Sequence, residues 1–296
     1  MNGFLLIDKP AGLTSHDVLK ILKRKLQLQK LGHTGTLDPF ATGLLVVGIG
    51  EALKFLSYLN EEPKKYEAVL KLGIATDTLD CDGKIIESKS IPVLDDKIVG
   101  KVLKGFLGKH QQVPPMYSAK KIEGKKLYEL AREGKTVARK PADIEIFDIE
   151  FVGARFIAPE EGVINDTPTI SFRVSCSRGT YVRVLGSDIA AVLGTVGHLT
   201  SLRRTQAGPF LIENAVGLDD NWQINDVLWP LSKALSHLPC CVVTADEMKE
   251  LYFGRPLSKE CDVPDDTLFS LKNSDFFGVG VYRQGQIYSK RLVAVQ

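Results

Sequence analysis

Length, composition and charge place this chain among ordinary globular proteins and exclude several other classes. It has 296 residues, of which 44% are hydrophobic, 25% charged and 8% aromatic, and its net charge is +2. This length suits one large domain or two smaller ones, and the composition excludes collagen, coiled coils and wholesale disorder. No apolar run approaches 18 residues, and charges at Asp8 and Lys9 interrupt the first one. We therefore expect neither a transmembrane helix nor a signal peptide.

The cysteines and histidines favour a reducing compartment and no metal. The five cysteines are odd in number and form no CxxC pair. Disulfides and structural zinc are therefore poorly supported, and we expect a cytoplasmic location. The histidines are scattered along the chain without the spacing that a metal site requires, so no metal ligands are assigned.

The predicted elements in chain order indicate an α+β fold. A buried strand over 3–8 precedes a helix over 15–26 that Ser15 is expected to cap, and an ordered glycine-rich loop follows over 31–43. Further along, apolar periodicity predicts strands at 44–50, 66–74, 144–152 and 169–177 and helices at 51–59, 94–107, 125–134 and 180–194. Strands and helices do not alternate cleanly. We therefore predict a mostly antiparallel central sheet rather than a doubly wound fold.

A change of character near His237 divides the chain into two predicted domains. After it come one helical stretch and several short strand-like runs separated by glycine turns. Such runs are typical of a small β-barrel. We therefore assign 1–238 to a main domain and 239–296 to an appended barrel.

Basic residues are concentrated in the segment 97–140. This segment holds 12 basic and three acidic residues, and tyrosines alternate with lysines in its middle. Two interpretations stay open, namely a solvated lysine-rich face and a surface that binds phosphates and stacks on bases.

Two loops and one strand carry residue types that suit catalysis. Asp38 lies between Leu37 and Pro39, so it is either a rigidly aimed carboxylate or an ordinary turn cap. Arg178 and Arg183 lie at a strand-to-helix transition, where one of them is a partner that keeps a carboxylate ionised or both are ordinary surface arginines. Tyr66, at a strand start, either packs in the core or offers a stacking face.

Seven segments follow one another along the chain, namely DKPAGLTSHDV, GHTGTLDPFATGLL, KKYEAVLKLG, TDTLDCDG, VPPMYSAKKIEGKKLYELAR, CSRGTYVRVLGSD and HLTSLRRTQAGPF. Taken together and in this order, these segments resemble the motifs of one family, the bacterial TruB-type tRNA pseudouridine-55 synthases. The resemblance covers residues 1–210 most strongly, and the last fifty residues resemble that family's PUA-type RNA-binding barrel. The resemblance implies a pseudouridine synthase catalytic domain over 1–238 and a PUA-like domain over 239–296.

The resemblance also implies roles for individual residues. Asp38 matches the catalytic aspartate, and Arg183 matches the arginine that pairs with it. Tyr66 matches the tyrosine that stacks on the target base, Tyr181 lines the same pocket, and His33 matches the histidine that holds the RNA loop open. Within the segment 97–140, expected to clamp RNA, the predicted phosphate contacts are Lys120, Lys121, Lys125 and Lys126.

The implied reaction breaks the N1–C1′ bond of uridine 55 in the tRNA T-loop, turns the uracil and joins C5 to C1′. It imports no group and oxidises nothing, so we expect no cofactor and no metal. Three roles for Asp38 are compatible with the residues, namely attack on C1′, attack on C6 and abstraction of a sugar proton.

The expected partner is the T-stem-loop of tRNA, bound by a monomer without a membrane or an obligate protein partner. Two alternative functions stay open. One is a catalytically silent RNA-binding or tRNA-folding factor of the same fold, and the other is a guide-RNA-dependent synthase subunit.

Overall fold

The structure is a computed structural model that describes residues 1–118, 120–122, 124–155, 168–274 and 276–294. None of the helices in this part of the chain is long and apolar enough to cross a membrane.

A ten-stranded mixed sheet forms the main body. Its strand order is β14-β1-β3-β12-β4-β11-β10-β7, with β2 added to β3 and β13 added to β12. The strands before the C-terminal part are β1 (Gly3–Lys9), β2 (Leu31–Thr34), β3 (Thr42–Ile49), β4 (Lys64–Leu72), β5 (Ile74–Thr76), β6 (Ile85–Ser88), β7 (Gly108–Gln112), β8 (Lys121–Ile122), β9 (Lys125–Lys126), β10 (Ala142–Arg155), β11 (Thr169–Cys176), β12 (Gly197–Ala207), β13 (Phe210–Leu211) and β14 (Val216–Gly217). Within this sheet, β1 with β14 and β3 with β12 are parallel, and the other described pairings are antiparallel. The predicted α+β fold is therefore confirmed.

The helices of the main body pack on this sheet. They are α1 (Ser15–Leu26), α2 (Asp96–Lys104), α3 (Leu127–Arg132), α4 (Val182–Val192), α5 (Ile224–Val227) and α6 (Leu231–Ala234), with 3₁₀ turns at Gly50–Tyr58 and Ile212–Asn214. Strand β4 shows why the sheet has a buried face, because its side chains alternate between buried and more exposed positions along its length. Its buried residues Ala68, Leu70 and Leu72 join Leu185 and Ile189 of α4 in the largest apolar core.

The N-terminal part differs from the sequence prediction in two details. Thr14, not Ser15, caps α1, because the Thr14 hydroxyl accepts from the Asp17 amide (3.1 Å) and the Asp17 carboxylate accepts from the Thr14 amide (3.3 Å). Ser15 is instead buried under the sheet. The first four residues of the predicted loop, Leu31–Thr34, form β2 against β3, so the irregular part begins at Gly35.

The C-terminal part is a second, five-stranded sheet that curls into half a barrel. It contains β15 (Cys240–Val242), α7 (Ala245–Tyr252), β16 (Leu257–Ser258), β17 (Leu268–Lys272), β18 (Phe276–Arg283) and β19 (Gln286–Ala294), and its strand order is β15-β17-β18-β19-β16. Its own core contains Met248, Leu251 and Phe269. Phe277 meets Phe55 of the main body, with ring centroids 6.0 Å apart.

The basic segment 97–140 is divided between the main body and its surface. Its first third includes most of α2 and all of β7, and Val99 and Leu103 are buried in the largest core. Beyond β7 the chain leaves the sheet and forms the small β8–β9 hairpin, in which Lys120 and Lys125 are exposed. The β8–β9 hairpin forms a sheet separate from the main one, and we call the part of the segment that follows β7, residues 113–140, the arm.

Gly43 allows β3 and β12 to approach closely at the edge of the Asp38 loop. Its φ is +97°, and a Cβ atom there would lie 2.3 Å from the Arg204 carbonyl oxygen. A side chain at this position therefore meets both an unfavourable backbone conformation and a neighbouring strand.

We predict that Gly43→Ala lowers the free energy of unfolding by about 2–5 kcal/mol. About 1–2 kcal/mol comes from the left-handed backbone conformation and about 1–3 kcal/mol from overpacking. Gly12→Ala is the matched control, because Gly12 has a φ of +83° but a Cβ atom there would have no neighbouring atom within 4 Å. Equilibrium urea unfolding measures the loss of unfolding free energy in both variants. Equal losses at the two positions would contradict the idea that the close approach of β3 and β12 requires glycine at position 43.

Candidate active site

A short loop between β2 and β3 presents Asp38 and is anchored from below. Leu37, Phe40 and Ala41 of this loop are buried in the largest core. The Ser15 hydroxyl accepts from the Leu37 amide (2.9 Å) and donates to the Leu37 carbonyl (3.1 Å). Both backbone groups of the residue before Asp38 are thus held by one side chain of α1.

A buried lysine anchors the other side of the same loop. Lys9 is fully buried, and its ammonium group donates to the carbonyls of Pro10 (2.8 Å), Leu13 (2.7 Å) and Pro39 (3.2 Å). Burial lowers the pKa of Lys9 to about 8, although the Asp38 carboxylate acts in the opposite direction. Because the residues on both sides of Asp38 are held, its carboxylate has a defined direction.

Arg183, in the first turn of α4, joins this helix to three other segments of the chain through its guanidinium group. Its Nε and Nη2 atoms bind the two carboxylate oxygens of Asp38 at 2.9 and 3.1 Å. Nη1 donates to the Thr78 carbonyl (2.6 Å) and meets the Asp80 carboxylate at 3.2 Å, while Nη2 also donates to the Tyr117 carbonyl (2.7 Å). The Arg183 side chain is 3% exposed, whereas the Asp38 side chain is 34% exposed, so the guanidinium group is shielded from water while the carboxylate stays accessible.

Asp80 places a second carboxylate on the same guanidinium group. It accepts hydrogen bonds from the Thr78 hydroxyl (2.5 Å) and the Asp82 amide (3.1 Å), and it is buried. The ion pair between Asp80 and Arg183 brings the TDTLDCDG segment to the edge of the site. Burial raises the pKa of Asp38, Arg183 lowers it and the nearby Asp80 charge raises it further.

A cavity of about 270 Å³ opens in front of the Asp38–Arg183 pair. Asp38, Tyr66, Tyr181 and Arg183, four of the five catalytic-pocket residues predicted from the sequence, line it together. The full lining is Gly35, Thr36, Leu37, Asp38, Lys64, Tyr66, Ser118, Gly179, Thr180, Tyr181, Val182, Arg183, Leu202 and Arg204. The volume lies just below the usual range of small-molecule pockets, and suits a single ring more than a long ligand.

Tyr66 and Tyr181 reach this cavity from different elements. Tyr66 is buried in β4, and burial raises its pKa, whereas the Arg204 charge and hydrogen bond lower it. Tyr181 precedes α4 and is held by Gln112, whose amide accepts from the Tyr181 N–H (2.8 Å) and donates to the Tyr181 carbonyl (3.1 Å). The edge strand β7 thus sets the start of the helix that carries Arg183.

The remaining predicted residues lie outside the cavity lining. His33 is in β2 beside the Asp38 loop, and burial lowers its pKa, as do Arg204 and His16. Its Nδ1 atom is buried and has no hydrogen-bond partner among the described residues. Lys120 and Lys125 are exposed on the arm, whereas the side chains of Lys121 and Lys126 lie outside the described part.

Sequence reasoning missed several residues of the site, of which Arg204 is the most informative. Arg204 lines the cavity and is 2% exposed, whereas its neighbour Arg203 faces the other side of β12. The alternation of β12 places one of the two arginines on the buried face, which is a signal present in the sequence. Lys64, which also lines the cavity and pairs with Glu61 at 2.9 Å, was missed because lysine is rarely buried.

Comparisons with known proteins identify the family of this chain. Residues 23–182 match the family described as "TruB family pseudouridylate synthase (N terminal domain)", and residues 183–236 match "tRNA pseudouridylate synthase B C-terminal domain". The chain is 42% identical over 266 residues to tRNA pseudouridine synthase B of Geobacter sulfurreducens, covering 88% of this chain and 84% of the relative. It is 38% identical to the protein of that name from Ralstonia pickettii, covering 99% of this chain and 94% of the relative.

Solved structures show the same fold at lower sequence identity. A crystal structure of a Cbf5-Nop10-Gar1 complex superposes with a TM-score of 0.70 at 22% identity, covering 98% of this chain and 84% of that one. The family match extends over most of the main body, including Asp38, Tyr66 and Arg183. The chain therefore belongs to the TruB family of pseudouridylate synthases.

Proposed function

We propose that this protein converts uridine to pseudouridine in tRNA, at position 55 of the T-loop. The observation that carries the proposal is the carboxylate of Asp38, held by the buried Arg183 fork at the edge of a cavity that also contains Tyr66 and Tyr181. Relatives that align with most of the chain are named tRNA pseudouridine synthase B.

The chemistry needs an ionised carboxylate next to the sugar and the base. Burial alone would raise the pKa of Asp38 and favour its protonated form, and Arg183 opposes this. A carboxylate that is held by a buried, bidentate arginine and is still reachable from the cavity is thus ready to act as nucleophile or base. The three roles considered for Asp38 all need this ionised form.

The cavity has to receive a base that has left its stack. A stacked base exposes neither face, so an enzyme that acts on N1 and C5 must flip the nucleotide out. We propose that Tyr66 supplies a flat face for the uracil and that Tyr181 closes the pocket wall. His33, beside the Asp38 loop but outside the lining, is then placed to contact the RNA around the flipped nucleotide.

Binding of the rest of the tRNA is assigned to two surfaces. We propose that the arm around Lys120 and Lys125 contacts phosphates, and that 239–296 is a PUA-like RNA-binding domain appended to a catalytic domain over 1–238. The C-terminal part has its own sheet and one apolar core of its own, which supports that division, and its residues Phe277, Val279 and Val293 pack in a second core shared with the main body. The cytoplasmic location, the monomeric state and the absence of a protein partner stay predictions from the sequence.

The alternative functions are less well supported. A silent tRNA-binding factor needs neither an aimed carboxylate nor a buried arginine fork, both of which are present. For the guide-RNA-dependent alternative, the similarity to the Cbf5 complexes is at 21–22% sequence identity and concerns the fold alone.

The first prediction concerns Asp38. tRNA labelled with tritium at uridine C5 should release tritium to water, because joining C5 to C1′ expels that hydrogen. Asp38→Asn keeps the shape but loses the charge, so we expect no turnover and a tRNA affinity within about threefold of wild type, less than 1 kcal/mol. A tRNA with cytidine at position 55 is the substrate control. Residual activity within tenfold of wild type would exclude Asp38 as the essential group.

The second prediction concerns Arg183. Arg183→Met removes the cation that keeps Asp38 ionised, so the pKa of Asp38 should rise further and the acid limb of the pH–rate profile should move to higher pH. We expect a single-turnover rate at neutral pH reduced by about 100-fold or more. Arg173→Met is the matched control, because Arg173 forms exposed ion pairs with Glu67 and Glu150. A lower affinity with an unchanged rate at saturating tRNA would refute this role.

The third prediction concerns the basic arm. Replacing Lys120, Lys121, Lys125 and Lys126 with Gln should weaken tRNA binding and flatten its salt dependence, by roughly one log–log unit or less per lost phosphate contact. The control replaces Lys20, Lys23, Lys30 and Lys89, which gives the same charge change on exposed positions outside both proposed RNA-binding surfaces. Binding constants measured across a salt series give the log–log slope for the arm variant and for the control variant. Equal slopes for the two variants would leave only the interpretation of the segment as a solvated face.

A further inference from the structure

Two consecutive arginines of β12 have opposite environments. The Arg203 side chain is 37% exposed and forms a two-pronged ion pair with Asp8, at 3.0 and 2.6 Å. Arg204 is 2% exposed and points to the other face of the strand, where it lines the catalytic cavity. The first is an ordinary surface pair, whereas the second places a cation in the interior.

The Arg204 guanidinium group is held by backbone carbonyls at both ends of the Asp38 loop. Its Nε donates to the Leu44 carbonyl (2.7 Å) after the loop, and its Nη2 donates to the Gly35 carbonyl (2.7 Å) at the start of the loop. Among the residues that the structure describes, no carboxylate forms an ion pair with it. Its position is therefore set by the loop, while its charge is left without an acidic partner.

Burying a cation without an acidic partner costs free energy of folding. Its presence here therefore directs attention to the neighbouring groups on which it acts. The neighbour across the strand pair is Tyr66, because β12 and β4 align Arg204 with Tyr66. Both side chains line the cavity, and the Arg204 charge and hydrogen bonding lower the pKa of the Tyr66 phenol, against the larger effect of burial. Arg183 is not available for this task, since both acidic partners and two carbonyls occupy it.

We propose that Arg204 is a positioning residue for catalysis, which holds the Tyr66 hydroxyl in the cavity. The loop that presents Asp38 also fixes Arg204, so one guanidinium group links the position of Tyr66 to that of Asp38. The inference rests on the proposed function, and it assigns Arg204 an effect on the reaction rate rather than on the affinity for tRNA.

A double-mutant cycle on single-turnover rates tests this assignment. The variants are Arg204→Gln, Tyr66→Phe and the double variant, with Arg203→Gln as the matched control on the opposite face of the same strand. Rates are measured at saturating tRNA by tritium release, and affinities by filter binding. Slow variants are followed for many hours, so that each corner of the cycle yields a rate.

We expect Arg204→Gln to lower the rate by about 10- to 100-fold, as loss of a charged hydrogen bond would, with tRNA affinity within about threefold. In the Tyr66→Phe background the same substitution should cost less than about threefold, because the hydroxyl on which Arg204 acts is gone. Arg203→Gln should stay within about twofold of wild type. The same loss in both backgrounds would overturn the proposal, since Arg204 would then act on the fold or the loop without Tyr66.

Arg204→Lys keeps the test informative if Arg204→Gln fails to fold in a thermal unfolding assay. Lysine retains the charge but loses the planar fork, so we expect it to recover part of the rate in the wild-type background and to have little effect next to Tyr66→Phe. Equal effects of Arg204→Lys in the two backgrounds would also overturn the proposal. The proposed function fails separately, if Asp38→Asn keeps turnover or wild-type protein releases no tritium.

Discussion

The buried fork of Arg183 is the interaction on which the rest of the site depends. One guanidinium group, 3% exposed, satisfies the carboxylates of Asp38 and Asp80 and the carbonyls of Thr78 and Tyr117. Removing a charge from water costs several kcal/mol, and only close, well-oriented partners recover that cost. Because those partners come from three separate stretches of chain, the electrostatic requirement of the arginine holds the walls of the cavity together.

The sheet provides the rigidity that this arrangement needs. Tyr66 and Arg204 lie on paired strands β4 and β12, whose register is set by a long ladder of hydrogen bonds. Asp38 lies on a loop, but Ser15 and Lys9 hold the residues on either side of it. A catalytic group on a loop is thus placed almost as firmly as one on a strand, which is a condition for reliable positioning of a reacting carboxylate.

Local features of this fold could be predicted from the sequence, whereas features that join distant segments could not. Alternation and apolar periodicity predicted β4, β10, β11 and α4, and motif resemblance predicted Asp38 with Arg183. The cap of α1 at Thr14 was missed because two adjacent residues were both good caps, and only burial decides between them. Arg204 was missed because its importance follows from the pairing of β12 with β3 and β4. Such pairing joins segments that are far apart in the sequence, so no single segment predicts it.

The balance of charges around the cavity explains how a carboxylate can work beside RNA. Every phosphate that approaches Asp38 would favour its protonated form, in the same direction as burial. The buried cations Lys9 and Arg183 lie beside Asp38 and oppose that effect at short range. A surface lysine could attract the RNA but would lose its influence on Asp38 within about 10 Å at 0.1 M salt. Some basic residues are exposed on the arm, and others are buried around the site. This division follows from two different electrostatic tasks, namely binding the polyanion and keeping the reacting carboxylate ionised in its presence.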